Sequence, residues 1–397
     1  MFTKEYDLCV CGGGVAGCAA ALAAARRGLK TVLIENTVVT GGLATAGLVL
    51  IYLPLCDGKG KQVLFGITRE FFDLCTKYGP ADPPENWQRD QKRLQVYFSP
   101  ASFVLALDEV LSEADIDLWF DTRITGTICD GEQVTAVEVA NKSGNGVIKA
   151  KLFVDATGDA DVVHFGNGET LTAANSLVTW VIEHNEQNSN QWLSFGKDVH
   201  TLMAGMSFDP TCTPPGIDGK TVSEFLLRGR KRYLDILKKD YAEGNSDRFS
   251  RYPLALPSMV PMRHSRCIKG KTVLTDPMLW QSFPDSIGLA TEWRRPDEIW
   301  EIPYSSLLPE KLTGILAAGR CTSATGEAWE VTRVIPNAAM TGEAAGVAAY
   351  LSLRQGVLPH QLPVEILQET LRKECGFPIH FADIGLIPPG KRPLKEC

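Results

Sequence analysis

Tyr6-Asp7-Leu8-Cys9-Val10-Cys11-Gly12-Gly13-Gly14-Val15-Ala16-Gly17 is the stretch whose reading decides the fold. Its first half is short and mostly apolar, the pattern of a parallel strand buried on both faces. Its second half carries glycine at 12, 14 and 17, the G-x-G-x-x-G spacing. An alanine-rich helical segment follows from Val15 to Arg27, then Gly28, then a second apolar strand, Thr31-Val32-Leu33-Ile34, ending on Glu35. Strand, glycine turn, helix, strand and acid, in this order, are what binding the ADP half of a dinucleotide requires. Gly12 permits the tight turn, Gly14 lets the backbone approach the pyrophosphate, and Gly17 lets the helix pack close to the sheet. Free N–H groups at the helix start face the phosphates. Glu35, about twenty residues past the glycines, stands where a carboxylate accepts hydrogen bonds from ribose hydroxyls. The fingerprint itself does not choose between NAD and FAD.

The chain of 397 residues is long enough for one large or two intimately joined domains with a substantial core. Hydrophobic content of 44% and charged content of 22% are those of an ordinary soluble globular protein. A formal charge of −7 argues against nucleic acid as a partner, because nucleic acid selects a basic face. The first strand begins almost at Met1, which leaves no room for a signal peptide, and no apolar run is long enough to span a membrane. Eleven cysteines, an odd number without a framework, point to reduced thiols in a cytoplasmic setting. The close pair Cys9-x-Cys11 lies on a strand expected to be buried, and no C-x-x-C or C-x-x-x-x-C pair exists. That counts against a disulfide reductase, zinc and iron–sulfur clusters, so no metal is expected.

Beyond Glu35, the small-residue loop Thr40–Gly47 would let backbone approach a ligand at the carboxyl end of the sheet. Residues 56–97 read as a polar insertion or lid with a helix at Thr68–Tyr78. Ser99 caps the next helix and Pro100 occupies its first turn. A strand at 116–120 precedes a small antiparallel meander over Thr127–Cys129, Val134–Ala140 and Val147–Ala150. This leads into a further buried strand, Leu152 to Asp155, ending in the small residues Ala156-Thr157-Gly158. From 166 to 312 prolines, tryptophans and polar loops dominate, with one charged helix at Val222–Glu243 whose basic run reads as a solvated face. Residues 314–320 give another buried strand, and Pro336–Leu353 a helix of small residues ending near Gly356.

Together these blocks resemble a family of FAD-dependent oxidoreductases related to the fumarate reductase and succinate dehydrogenase flavoproteins. The resemblance rests on residues 11–17, 41–45, 154–161, 263–266, 316–321 and 333–346. It departs from the family pattern at Cys267, where another arginine is usual, and in the segment after Arg320, which lacks a histidine. The resemblance implies an α/β fold: a Rossmann-like FAD-binding domain with parallel sheet, helices and β-meander, and an inserted α+β substrate domain. The FAD-binding domain would take 1–165 and 313–358, the substrate domain 166–312, and a tail 359–397. It places FAD against Gly12, Gly14, Val15, Ala16 and Gly17; Glu35 and Asn36; and Gly41, Gly42, Leu43, Ala44 and Thr45. It adds Arg123 and Ile124; Ala156, Thr157, Gly158 and Asp161; Gly319 and Arg320; and Asn337, Ala338, Ala339, Met340 and Gly342. The amino end of the 336–353 helix would point at the isoalloxazine.

The expected activity is hydride transfer between flavin and a small polar or anionic metabolite bound between the domains, with an electron donor or acceptor as second partner. Arg263, His264 and Arg266 are the candidates for substrate binding and proton transfer, with Arg320 and Arg333 as alternates. Guanidinium forks pair with two carboxylate oxygens, and an imidazole handles a proton near neutral pH. The structural alternative is that these arginines pair with Asp or Glu across the domain junction. Two other readings stand beside the leading one. The single fingerprint permits an NAD-binding dehydrogenase, and the flavin-type blocks permit a flavin-binding subunit without catalysis of its own.

Overall fold

The computed structural model describes residues 1–89, 93–175, 177–187, 198–207 and 215–391. The opening strand β1 (Phe2–Cys11) leads through the glycine turn to α1 (Val15–Ala25) and β2 (Thr31–Ile34). A short ribbon of β3 (Ile51–Tyr52) and β4 (Val96–Tyr97) brackets α2 (Ile67–Leu74), and α3 (Pro100–Glu113) follows. The Ser99 hydroxyl caps α3 at the Ser102 N–H, with Pro100 in the first turn, as expected. Then come β5 (Asp117–Trp119), β6 (Arg123–Asp130), β7 (Gln133–Asn141) and β8 (Gly144–Asp155).

The expected third meander strand and the buried strand after it are one element. The first half of β8 pairs antiparallel with β7, while from Gly146 onward it also pairs parallel with β1. Its end, Phe153 to Asp155, accepts the later strand β16 (Ile315–Ala317) where β7 has fallen away. The sheet therefore runs β5-β2-β1-β8-β7-β6, with β16 beside β8. This is a mixed α/β architecture with a parallel core, the Rossmann-like fold expected from the glycine turn.

Alternation along the strands gives the sheet two apolar faces. Leu8, Val10, Leu33, Leu152, Val154 and Leu316 face a helix layer. Cys9, Cys11, Val32, Ile34, Phe153 and Ile315 face the other way, closed by Val134, Val137 and Val139 of β7 and by Val162 and Val163 of α4 (Asp161–Phe165). Among the described cysteines all but Cys129 are buried, and none is bridged.

Residues 170–303 hold β9 (Thr170–Thr172), β10 (Leu177–Asn185), β11 (Val199–Ser207), α5 (Gly219–Ala242), β12 (Arg251–Ala255), β13 (Arg266–Ile268), β14 (Ser286–Thr291) and β15 (Ile299–Pro303). The sheet β11-β10-β12 packs Val181 against Tyr233 and Leu237 of α5, a cluster separate from the main core. Ile287, Ala290, Trp300 and Ile302 of the β14–β15 hairpin belong instead to the main core. After β16 the chain forms α6 (Gly326–Thr332), α7 (Ile335–Gln355, closed by Gly356 at φ +68°) and α8 (Val364–Cys375).

Helix α1 has no polar side: Cys18 to Ala24 have no exposed surface. The sheet covers one flank and α7 the other. A Cβ placed on Gly342 would lie 2.1 Å from the Ala16 carbonyl oxygen, and one on Gly346 2.3 Å from that of Ala20. The two backbones therefore touch, and only glycine fits at these crossings. Gly342→Val should lower stability by about 1–3 kcal/mol through overpacking, read as a fall in the urea midpoint. An unchanged midpoint would mean that the crossing is slack.

Candidate active site

The glycine turn is built by close approach. Gly12 has φ +101°, and a Cβ there would sit 2.4 Å from the Ala156 carbonyl oxygen at the end of β8. A Cβ on Gly17 would lie 1.8 Å from the Gly12 oxygen, so the first turn of α1 presses directly on the loop. Gly14 differs: a side chain there would meet nothing within 4 Å. Open space at this glycine, beside a helix start with neither a side-chain cap nor an acid in its first turn, is room for a phosphate group.

Other segments close around this space. Gly41 pairs with Gly14, donates its N–H to the Gly13 oxygen at 2.8 Å, and stands at φ +92°. A Cβ on Gly42 would lie 3.0 Å from the Gly14 Cα. Leu43, Ala44 and Thr45 continue in a single 3-10 turn, with the Thr45 hydroxyl donating to the Thr40 oxygen. Ala16, Gly319 and Ala338 meet where α1, the end of β16 and the start of α7 converge: a Cβ on Gly319 would be 2.7 Å from the Ala16 Cβ and 3.4 Å from that of Ala338. Blocks far apart in sequence thus meet at one place.

Glu35 is buried and accepts two backbone N–H bonds, from Gly13 and from Thr37, both at 2.7 Å. It therefore pins the glycine turn to the end of β2, and its remaining lone pairs can accept ribose hydroxyls. Asn36 beside it is exposed. Arg123 and Ile124 are delivered to the same corner, because Thr122 donates its N–H to the Glu35 oxygen at 3.0 Å.

At the start of α7, no side chain caps the helix. The Asn337 amide donates to the carbonyls of Val331 at 2.7 Å and Thr291 at 3.2 Å. Its Oδ1 is buried without a hydrogen-bond partner among the described residues. Three positions taken over from the family resemblance make contacts within the protein. Gly342 fits α7 against α1, and Met340 packs against Gly288 of β14. Asp161 pairs with Arg266 at 2.6 Å; burial and the neighbouring Asp159 and Asp155 push its carboxyl up to about 6.

The five cationic candidates divide into two sets. Arg266 and Arg320 clamp the loop after β8. The Arg266 Nε donates to the Asp159 carbonyl at 2.8 Å, and Arg320 pairs with the Asp159 carboxylate at 3.0 Å while also donating to the Met262 oxygen. Cys321 finishes this clamp, its sulfur accepting from the N–H groups of Gly158 at 3.1 Å and Ala160 at 3.3 Å. Burial pushes the Cys321 thiol well up, so it is a structural thiol there.

Arg263, His264 and Arg333 gather around one buried carboxylate that the sequence reading missed, Glu330 of α6. Arg333 bonds it directly, Arg263 lies 3.6 Å away, and the His264 Nε2 is 3.2 Å away but out of line for a hydrogen bond. The Asn175 side chain fixes the backbone of this pair, accepting the Arg263 N–H at 3.0 Å and donating to the His264 carbonyl. The His264 ring packs on Trp329 at 4.8 Å. Burial pushes the imidazole down to about 4 against the pull of Glu330, so it is neutral at pH 7. Burial also lowers Arg333 to about 10, which leaves it charged, and its Nε has no partner among the described residues. Burial raises the Glu330 carboxyl, but the positive charges around it, Arg333 foremost, outweigh that and hold it below the usual range.

A glycine turn of the dinucleotide-binding type on a parallel sheet, with arginines gathered near the start of a second helix, is an arrangement that suits a dinucleotide-dependent redox enzyme. The FAD dependent oxidoreductase family matches residues 7–179 and 183–371, and the chain belongs to that family. It is therefore an FAD-dependent oxidoreductase, and the reading as an NAD dehydrogenase falls away. The chain is 28% identical over 241 residues to a tRNA uridine 5-carboxymethylaminomethyl modification enzyme, MnmG, from Chlorobium phaeovibrioides, covering 57% of this chain and 34% of that protein. The Pelobacter propionicus enzyme of the same name is 30% identical over 234 residues, covering 55% and 33%. The chain thus spans about a third of the length of these two relatives. Two solved structures share the fold. The anhydrotetracycline hydroxylase OxyS of Streptomyces rimosus has a TM-score of 0.52 at 12% identity, covering 92% of this chain and 65% of that one. A geranylgeranyl bacteriochlorophyll reductase-like protein of Thermoplasma acidophilum has 0.50 at 13%, covering 94% and 84%.

Glu35→Ala should weaken FAD binding by about 1.5–3 kcal/mol, because the lost acceptor is charged. It should also lower the melting temperature of the FAD-free protein, since two backbone N–H groups lose their partner. Unchanged FAD affinity would remove the ribose assignment, even if stability fell.

Proposed function

We propose that this enzyme oxidises or reduces a small acidic metabolite by hydride transfer, with Arg263, His264 and Arg333 at the substrate end. The observation that carries this reading is the convergence of those three side chains on Glu330 beside the start of α7. Bound FAD supplies the two-electron acceptor or donor. Glycines 12, 14 and 17 with the start of α1 hold its pyrophosphate, Glu35 its ribose, and the Gly319 and Asn337 segments its flavin end. Arg333 and Arg263 hold the substrate carboxylate, because a guanidinium offers paired donors to two oxygens. His264, neutral at working pH, takes the proton that leaves as the hydride leaves, or returns it in the opposite direction. Arg266 and Arg320, bound to the 159–161 loop, serve as clamps between the FAD-binding segments and residues 262–268.

Support for a small substrate comes also from the charge of −7, which does not favour an RNA partner such as the tRNA-modification relatives' names imply. We propose the finer kinship with fumarate reductase-type flavoproteins, a separate electron donor or acceptor, and a cytoplasmic setting on the motifs and cysteine usage. Among the described residues no helix is long and apolar enough to cross a membrane.

Anaerobic bleaching of the bound flavin across a panel of matched acids and amides tests the reading. Acids are expected to reduce it faster, and Arg333→Leu to erase that preference while FAD stays bound. Equal reduction by neutral compounds would reject it. The pH profile gives a second check. A base at about 4 predicts that kcat/KM for oxidation is lost as pH falls through about 4. It predicts no inflection near 6.5, where an ordinary histidine titrates. An inflection there that survives His264→Gln would assign the proton to another group.

A further inference from the structure

We propose that Glu330 is the specificity-determining residue of the substrate site and restricts it to acids with a single negative charge. The proposal rests on the reading of Arg263, His264 and Arg333 as the substrate end. Glu330 is held on α6, three residues before Arg333, with its carboxylate within 3.6 Å of Arg263 and 3.2 Å of His264. It is a fixed negative charge in a mostly buried place, and any anion drawn to the guanidinium groups arrives beside it.

The first carboxylate of a substrate offsets that repulsion by pairing with the guanidinium donors. A second carboxylate on the same small molecule meets the like charge with less to compensate it. At the effective dielectric of such sites, two like charges about 5–6 Å apart repel enough to change affinity by roughly a hundredfold. Selectivity is here built from a repulsive element as well as an attractive one. The neighbouring cations do not relieve it. His264 is neutral at pH 7. Arg320 is committed to Asp159, and Arg294 to Glu292 and Glu327.

Butyrate and succinate, matched in length and differing by one charge, are titrated into the FAD-loaded enzyme, and the shift of the flavin absorption band gives each Kd. The wild type is expected to bind butyrate at least about tenfold more tightly than succinate. The isosteric Glu330→Gln should tighten succinate by about tenfold or more and butyrate by less. Glu330→Asp, which keeps the charge, should retain the wild-type order. Succinate preferred by the wild type overturns the proposal, and so does an unchanged butyrate-to-succinate ratio in Glu330→Gln. Should that variant lose FAD, the wild-type and Glu330→Asp ratios decide. If neither acid perturbs the flavin in any variant while butyramide does, the anionic-site reading beneath the proposal fails as well.

Discussion

Everything around the glycine turn depends on how closely α1 can lie to what surrounds it. At its start, Gly17 lets the helix rest on the Gly12 carbonyl. Along its flank, Gly342 and Gly346 let α7 settle against the carbonyls of Ala16 and Ala20. Side chains at these points would push the two helix starts apart, and with them the glycine turn and the cationic cluster beyond Arg333. Contact between backbones, bought with glycine and alanine, fixes the distance between the glycine turn and the start of α7. Burial on both flanks also explains why α1 carries no polar residue between Val15 and Ala25.

Much of this was legible because it is local. The turn, the helix and the acid at Glu35 follow from spacing within one stretch, and the cap at Ser99 and the stop at Gly356 from single residues. What escaped is set by partners remote in sequence. Small residues in α7 fit a flat cofactor and a neighbouring helix equally well, and only the position of α1 assigns Gly342 to packing. The meander strand and the strand ending at Asp155 merge because β7 covers only the first half of β8, leaving room for β16. Neither fact has a signature in the residues themselves.

The arginines teach the same lesson in charge. Arg263, Arg266, Arg320 and Arg333 look alike as sequence, and the structure sets each of them beside a carboxylate. Acids on the loop after β8 hold two of them, while Glu330 gathers the other two with His264. The spacing of Glu330 and Arg333, three apart at a helix end, was a readable signal for a pair. That the pair also receives Arg263 and His264 depends on Asn175, which pins their backbone from a segment with no motif of its own. A buried guanidinium requires such a counter-charge, and the position of each acid decides where each arginine is held.

The contact between α1 and α7 has a consequence for how the protein is made. Residues 15–25 leave the ribosome long before residues 335–355, so an alanine-rich segment with no polar face emerges without its partner. Until β16 joins the sheet and α7 docks, one flank of α1 and the last residues of β8 stay open, and the glycine turn has nothing to brace it from that side. Contacts of such long sequence separation form late and slowly, because the loop between them must first be closed. The nascent chain therefore carries these open apolar faces, and is exposed to misassembly, through most of its synthesis.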